Sequence, residues 1–214
     1  MSKIIFLIRH GETAWNNEGI FRGQSDIPLN ERGLQQAKAT SDYLQSADFA
    51  AVYCSPLSRA MQTADAICMG RDIKPIPVPA FVDISFGPWE GKSFSELETL
   101  YPEAIKTWRE TPEKHMLPGA ETLSEAMSRS FKKMESLARV NKGQNIAIVS
   151  HRVILKLLIL ASLSLNSNRF WHIRQNTCCI NMLEFEGDKG FVVVKINETC
   201  HLKTVIESSR QHDF

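Results

Sequence analysis

Arginine and histidine fall together at three points of the chain: Arg9-His10-Gly11, Ser55-Pro56 with Arg59 one turn further on, and Ser150-His151-Arg152. Each group follows a short apolar run, so each is set to arrive at the end of a strand. Guanidinium groups bind oxyanions through paired hydrogen bonds, and phosphate suits them best. An imidazole can attack phosphorus when one ring nitrogen is unprotonated and the other is held by a backbone acceptor. Flanking arginines would neutralise the phosphoryl oxygens in the transition state. Singly these residues say little. A lone histidine at a strand end is ordinarily a hydrogen-bonded structural residue, and a lone arginine a surface charge. Gly11 permits a tight turn whatever the function. Delivered to one rim from three strands, they point to a small bound anion.

Other chemistries lack their signatures. The sequence has no GxxxxGK[ST] loop for nucleotide phosphates and no GxGxxG for a dinucleotide. No cysteine opens a phosphate-cradling loop that ends in arginine. Ser55 and Ser150 lie outside any GxSxG elbow. The imidazole remains as nucleophile.

The elements that must position these residues alternate in type. Strands are expected over Lys3–Ile8, Ala50–Cys54, Ile76–Val82, Asn145–Ser150, Cys178–Glu186 and Phe191–Asn197, the third at an edge because of Pro77 and Pro79. The last two form a pair joined by Gly187-Asp188-Lys189-Gly190. Helices are expected over Glu31–Ser46, Ser58–Met69 (capped by Ser55, with Pro56 in first position), Phe94–Arg109, Thr122–Val140 and Arg152–Leu163. The alternation predicts an α/β fold with a mostly parallel sheet covered on both faces. Ligands of such sheets bind outside the carboxyl ends of the strands, where the arginines and histidines fall. Residues 92–119, with Pro102, Pro112 and Pro118, read as a helical lid inserted into a single domain over 1–214.

Composition sets the frame. Of 214 residues, 43% are hydrophobic and 23% charged, which excludes wholesale disorder and collagen. The net charge of +1 provides no field to gather nucleic acid or an anionic membrane, so neither is expected as a partner. Cys54, Cys68, Cys178, Cys179 and Cys200 are odd in number and scattered, which suits buried thiols in a reducing compartment better than disulfides or a metal. The apolar run IIFLI is broken by Arg9, too soon for a signal peptide. The longest apolar run, Val153–Leu163, contains Lys156 and is too short to span a membrane. A soluble, cytoplasmic protein is expected, with a homodimer left open.

LIRHGETAWN at 7–16 resembles the defining motif of the histidine phosphatase superfamily, which includes the cofactor-dependent phosphoglycerate mutases. The similarity continues in the family's order through FRGQSDIPLNERGLQQA (21–37), YCSPLSRAMQTA (53–64), FGPWEG (86–91), PGAET (118–122) and IVSH (148–151). The resemblance implies a three-layer α/β/α sandwich that needs neither metal nor cofactor. It implies His10 as the phosphorylated nucleophile. Arg9, Arg59 and His151 would complete the phosphate pocket, with Asn16, Gly23 and Gln24 at its mouth. Asp83 stands where the family usually has a glutamate as proton donor; Glu90 is the second choice for that acid. Arg152 replaces the glycine that commonly follows the second histidine. Arg152 and Arg22 are candidates for an extra contact to substrate, against the plainer reading of solvent-facing charges.

Three activities fit this resemblance: a phosphatase acting on small phosphomonoesters, a mutase, and a phosphate-binding module without catalysis. Both histidines, both arginines and a carboxylic acid are present, which disfavours the last. The compact stretch between FGPWEG and PGAET favours hydrolase over mutase. The segment INETCHL at 196–202 is similar to members known as α-ribazole phosphatase or metal-independent phosphoserine phosphatase.

Overall fold

The computed structural model describes residues 3–141 and 143–203. In chain order the elements are β1 (Lys3–Arg9), α1 (Ala14–Asn17), α2 (Glu31–Tyr43), β2 (Phe49–Cys54), α3 (Ser58–Cys68), β3 (Pro75–Pro77), α4 (Phe94–Leu100), α5 (Pro102–Glu110), α6 (Leu123–Val140), β4 (Asn145–Ser150), α7 (Arg152–Ser162), β5 (Ile180–Phe185) and β6 (Phe191–Glu198). Short 3₁₀ turns join several of them.

The sheet order is β3-β2-β4-β1-β5-β6. The first four strands run parallel, while β5 is antiparallel to β1 and β6 to β5. Register puts Arg9 beside Ser150, so the chain leaves β1 and β4 at the same level. The His10 N–H donates to the Ser150 carbonyl at 3.0 Å and Ser55 N–H to that of Val149 at 2.9 Å. Three strand ends therefore form one rim.

Period-two burial gives the sheet two dry faces. Ile5 and Leu7 point into a core shared with Met134 and Leu137 of α6 and Ile154 and Leu158 of α7. Phe6 and Ile8 point the other way, onto Ala60, Ala64 and Ile67 of α3. Each of these buried Leu, Ile, Met and Phe side chains contributes roughly 1.5–3 kcal/mol. The result is the expected three-layer α/β fold.

Several boundaries differ from expectation, each for a physical reason. The third strand stops at Pro77, because Pro79 turns the chain into a 3₁₀ turn over Pro79–Phe81. Helix α3 starts at Ser58, with Leu57 rather than Ser55 as its cap residue. The capping oxygens come from elsewhere: Asp26 accepts the Ser58 N–H and the Ser58 hydroxyl, both at 2.7 Å. The long helix expected over Phe94–Arg109 is two. Pro102 lacks an N–H and forces Tyr101 out of helical geometry (φ −139°), so α4 ends and α5 begins there. In the 92–119 segment, Trp108 is fully buried against Phe86, Phe170, Trp171 and His115. No helix among the described residues is long and apolar enough to cross a membrane.

Candidate active site

His10 is 1% exposed and follows directly from β1. Its Nδ1 lies 2.6 Å from the Gly11 carbonyl, which can only accept. Nδ1 therefore carries the proton, and Nε2 keeps its lone pair. Burial lowers the His10 pKa well below the usual value, and the positive charges of Arg59, Arg9 and Arg22 lower it further. The ring is neutral at physiological pH.

The turn that sets this ring is fixed by close backbone contact. A Cβ on Gly11 would meet the Gly33 carbonyl oxygen at 2.5 Å, and a Cβ on Gly33 would meet the Glu12 oxygen at 2.1 Å. Thr63 accepts the Gly11 N–H at 3.1 Å. Buried Glu12 accepts from Asn17 at 3.0 Å and Asn30 at 2.9 Å. These contacts explain much of the GETAWN and NERG blocks as scaffolding.

Arg9 leans on the Gln175 carbonyl, to which its Nη1 donates at 2.5 Å. Arg59 donates from Nη1 to the Ser25 carbonyl and from Nη2 to that of Gly23, both at 2.8 Å. Its Nε donates to His151 Nδ1 at 3.2 Å, which leaves Nε2 of His151 to donate to the Ser55 hydroxyl at 2.7 Å. His151 is thus neutral, and burial, Arg59 and His10 hold its pKa well below the usual value. The two imidazole centroids stand 5.1 Å apart.

Asp83 closes the cluster. Its Oδ2 lies 3.6 Å from Arg59 Nη2 and 3.8 Å from His151 Nδ1. The sequence leaves open whether burial or the arginines would dominate its titration. Burial dominates: it raises the carboxyl pKa above its ordinary value despite the opposing pull of Arg59 and Arg22. The Asp83 carbonyl is held by Arg129 Nη2 at 3.2 Å and by Gln24 Nε2 at 3.1 Å. Arg129 is in turn clamped by Glu121 at 2.6 and 2.7 Å. The Glu121–Arg129 pair gives the PGAET block its role and was not foreseen from sequence.

Glu90 takes a different part. Its Oε1 accepts the Phe86 N–H at 3.0 Å and the Gln24 N–H at 3.2 Å. It fills the space beside Gly23, where a Cβ would come within 2.1 Å of it. With φ at +49°, Gly23 is needed both for the turn and for this contact. Glu90 ties two loops together, which argues against it as the acid.

Above the buried group opens a small cleft, lined by Arg9, Asn16, Arg22, Asp83 and Arg152 among others. His10, Arg59 and His151 lie outside its lining and are at most 1% exposed. Gln24 also lies outside it, turned back onto Asp83 and Glu90. Asn16 lines the cleft while its Oδ1 caps α1 by accepting from Thr13 at 2.9 Å. The INETCHL segment, remote in sequence, reaches the site in two steps. Asn197 accepts the Asn176 N–H at 2.7 Å, next to the Gln175 carbonyl that holds Arg9.

The neutral histidines make stability pH-dependent. An unfolded histidine takes up its proton near pH 6.5, whereas burial keeps His10 and His151 well below that and His115 at about 4. Below about pH 6.5 the unfolded chain binds protons that the folded chain refuses, so stability falls as pH falls. Each such histidine costs up to about 1.4 kcal/mol per pH unit. Urea unfolding at pH 7 and pH 5 should show a lower midpoint at pH 5. An unchanged midpoint would contradict neutral burial.

The match to known proteins agrees with this geometry. The model of the histidine phosphatase superfamily (branch 1) matches residues 5–199, and the chain belongs to that family. Phosphoserine phosphatase 1 of Hydrogenobacter thermophilus is 31% identical over 202 residues, covering 94% of this chain and 95% of the relative. The adenosylcobalamin/alpha-ribazole phosphatase of Salmonella typhimurium is 32% identical over 193 residues, covering 90% and 94%. Among solved structures, Bacillus stearothermophilus YhfR superposes with a TM-score of 0.90 at 28% identity, covering 94% of this chain and all of that one. Phosphoserine phosphatase of Entamoeba histolytica in complex with 3-phosphoglyceric acid gives 0.81 at 28% identity, covering 94% and 99%.

Proposed function

We propose that the chain, acting as one domain, hydrolyses small-molecule phosphomonoesters through a phosphohistidine on His10. The carrying observation is the Nδ1–Gly11 bond, which leaves Nε2 unprotonated among arginines. Attack of Nε2 on phosphorus forms the N–P bond as the ester P–O bond breaks. Arg9 and Arg59 neutralise the phosphoryl oxygens as charge develops. Asp83, its carboxyl pKa raised by burial, gives its proton to the departing alkoxide. The resulting carboxylate then draws a proton from water as that water attacks the phosphohistidine and releases phosphate. His151, anchored to Arg59 and Ser55, completes the pocket. Asn16 and the Gly23 loop shape its mouth, and the 92–119 segment, bridged to the cleft wall through Ile20 and Ser93, serves as its lid.

The positive charge a metal would bring is supplied by guanidinium groups. Among the described residues no three His, Cys, Asp or Glu side chains cluster as metal ligands. Purified protein assayed on a panel of phosphomonoesters should release phosphate undiminished by EDTA, and vanadate should inhibit. Loss of activity on chelation, restored by a divalent ion, would overturn the metal-free mechanism. A 3-phosphoglycerate mutase assay in the same panel should show hydrolysis in place of isomerisation.

A further inference from the structure

The two imidazoles of the pocket are held in opposite tautomers. His10 keeps its proton on Nδ1, against the Gly11 carbonyl. His151 meets Arg59 Nε at its own Nδ1, 3.2 Å away. A guanidinium N–H can only donate, so that nitrogen presents a lone pair and the ring proton sits on Nε2. The Ser55 hydroxyl, 2.7 Å from Nε2, is the acceptor this form requires. Ser55 and His151 are both fully buried, so solvent does not compete for the pairing. Ser55 is itself fixed at the strand end. Its N–H donates to the Val149 carbonyl at 2.9 Å, and its hydroxyl also accepts the Leu57 N–H at 3.3 Å.

The tautomer matters to Asp83, whose Oδ2 lies 3.8 Å from His151 Nδ1. A lone pair on that nitrogen gives a carboxylate no support. An N–H there would attract the carboxylate and favour loss of the acid's proton. The other charges facing Asp83 do not depend on this choice. Arg59 from α3, Arg22 from the loop before Gly23 and Arg152 at the start of α7 favour the carboxylate, and burial opposes them. Arg9 and Arg22 also face the His151 ring, as does neutral His10. His151 is thus a neighbour whose influence on Asp83 changes sign with the position of one proton.

We infer that Ser55 is a positioning residue: it locks His151 in the Nε2–H tautomer and so keeps on Asp83 the proton that the leaving group needs. The role rests on the phosphatase reading and deepens it. Ser55 lies outside the cleft lining and acts through His151 alone.

The test reads the tautomer and the acid separately. Long-range proton–nitrogen NMR of isotope-labelled enzyme should show His151 as the Nε2–H form, its signals identified by their loss in His151→Gln. This measurement needs no change at Ser55 and tests the lock on its own. Ser55→Ala should move His151 toward the Nδ1–H form. In that variant the alkaline limb of alkyl phosphate turnover should lie about one pH unit lower, a loss of about tenfold above it. p-Nitrophenyl phosphate, whose leaving group needs little protonation, should change far less. Ser55→Thr, which keeps the hydroxyl, should restore the limb. A role confined to the strand-end turn would lower turnover of both substrates alike and leave the limb in place. The Nδ1–H form in the wild type, an unchanged tautomer in Ser55→Ala, or an unmoved limb would overturn the inference. Failure of the wild type to turn over any phosphomonoester, p-nitrophenyl phosphate included, would instead overturn the phosphatase reading, and the role of Ser55 with it.

Discussion

His10→Ala is expected to reduce phosphate release by about 10⁴-fold or more, the scale on which removing an activated nucleophile acts. The loss should fall on kcat, because the arginines that bind the phosphoryl group are untouched. Wild-type enzyme quenched in alkaline detergent should carry phosphate that is stable to alkali and labile to acid, and the variant should carry none. The variant should still fold, since His10 anchors the rim chiefly through its backbone N–H to Ser150 and the alanine keeps that bond. Full turnover by His10→Ala would end the mechanism.

A second large effect is expected at Asp83. An alkoxide is a poor leaving group unless protonated as its bond breaks. His10 cannot supply that proton while attacking, and arginine does not release one near neutrality. Asp83→Asn should therefore lower turnover of an alkyl phosphate by roughly 10²–10⁴-fold. p-Nitrophenyl phosphate should suffer far less, and the phosphohistidine should still form from it. The pH profile gives an independent check. Activity requires protonated Asp83, so it should fall as pH rises through the raised carboxyl pKa, and this limb should be missing in Asp83→Asn. Glu90→Gln should act otherwise: it weakens the bonds to Phe86 and Gln24 and so lowers stability without changing leaving-group dependence. Unchanged alkyl phosphate turnover in Asp83→Asn together with its abolition in Glu90→Gln would move the acid to Glu90.

How much of this was legible depends on the range of the interaction. Arg9, His10, Ser150 and His151 could be read because strand pattern alone delivers them to one rim. Asp83 could be read from its place before FGPWEG, but its titration could not, since burial there is made by the loops around it. Arg129 on α6 looks like any polar residue of an amphipathic helix. Its hold on the Asp83 carbonyl depends on where Glu121 and the Ala80–Asp83 turn lie in space. Ser55 matched a helix cap by local rule, yet Asp26, distant in sequence, took that role and freed Ser55 for His151. The break at Pro102 was within reach of local rules, since the residue before a proline resists the helical region.

The sheet order carries a kinetic consequence. β1, the first of the described strands, sits in the interior of the sheet, and its partners are Ile146 to Ser150 on one side and Ile180 to Phe185 on the other. Contacts so distant along the chain make nucleation slow, because loop closure must precede any gain from pairing. During translation the apolar run Ile4–Ile8 has neither neighbour until the chain has emerged as far as Ser150, and lacks the second until Phe185 has followed. Refolding from denaturant should therefore be slow for a protein of this size. The nascent chain should need protection from aggregation through that same unpaired strand, the one that delivers Arg9 and His10.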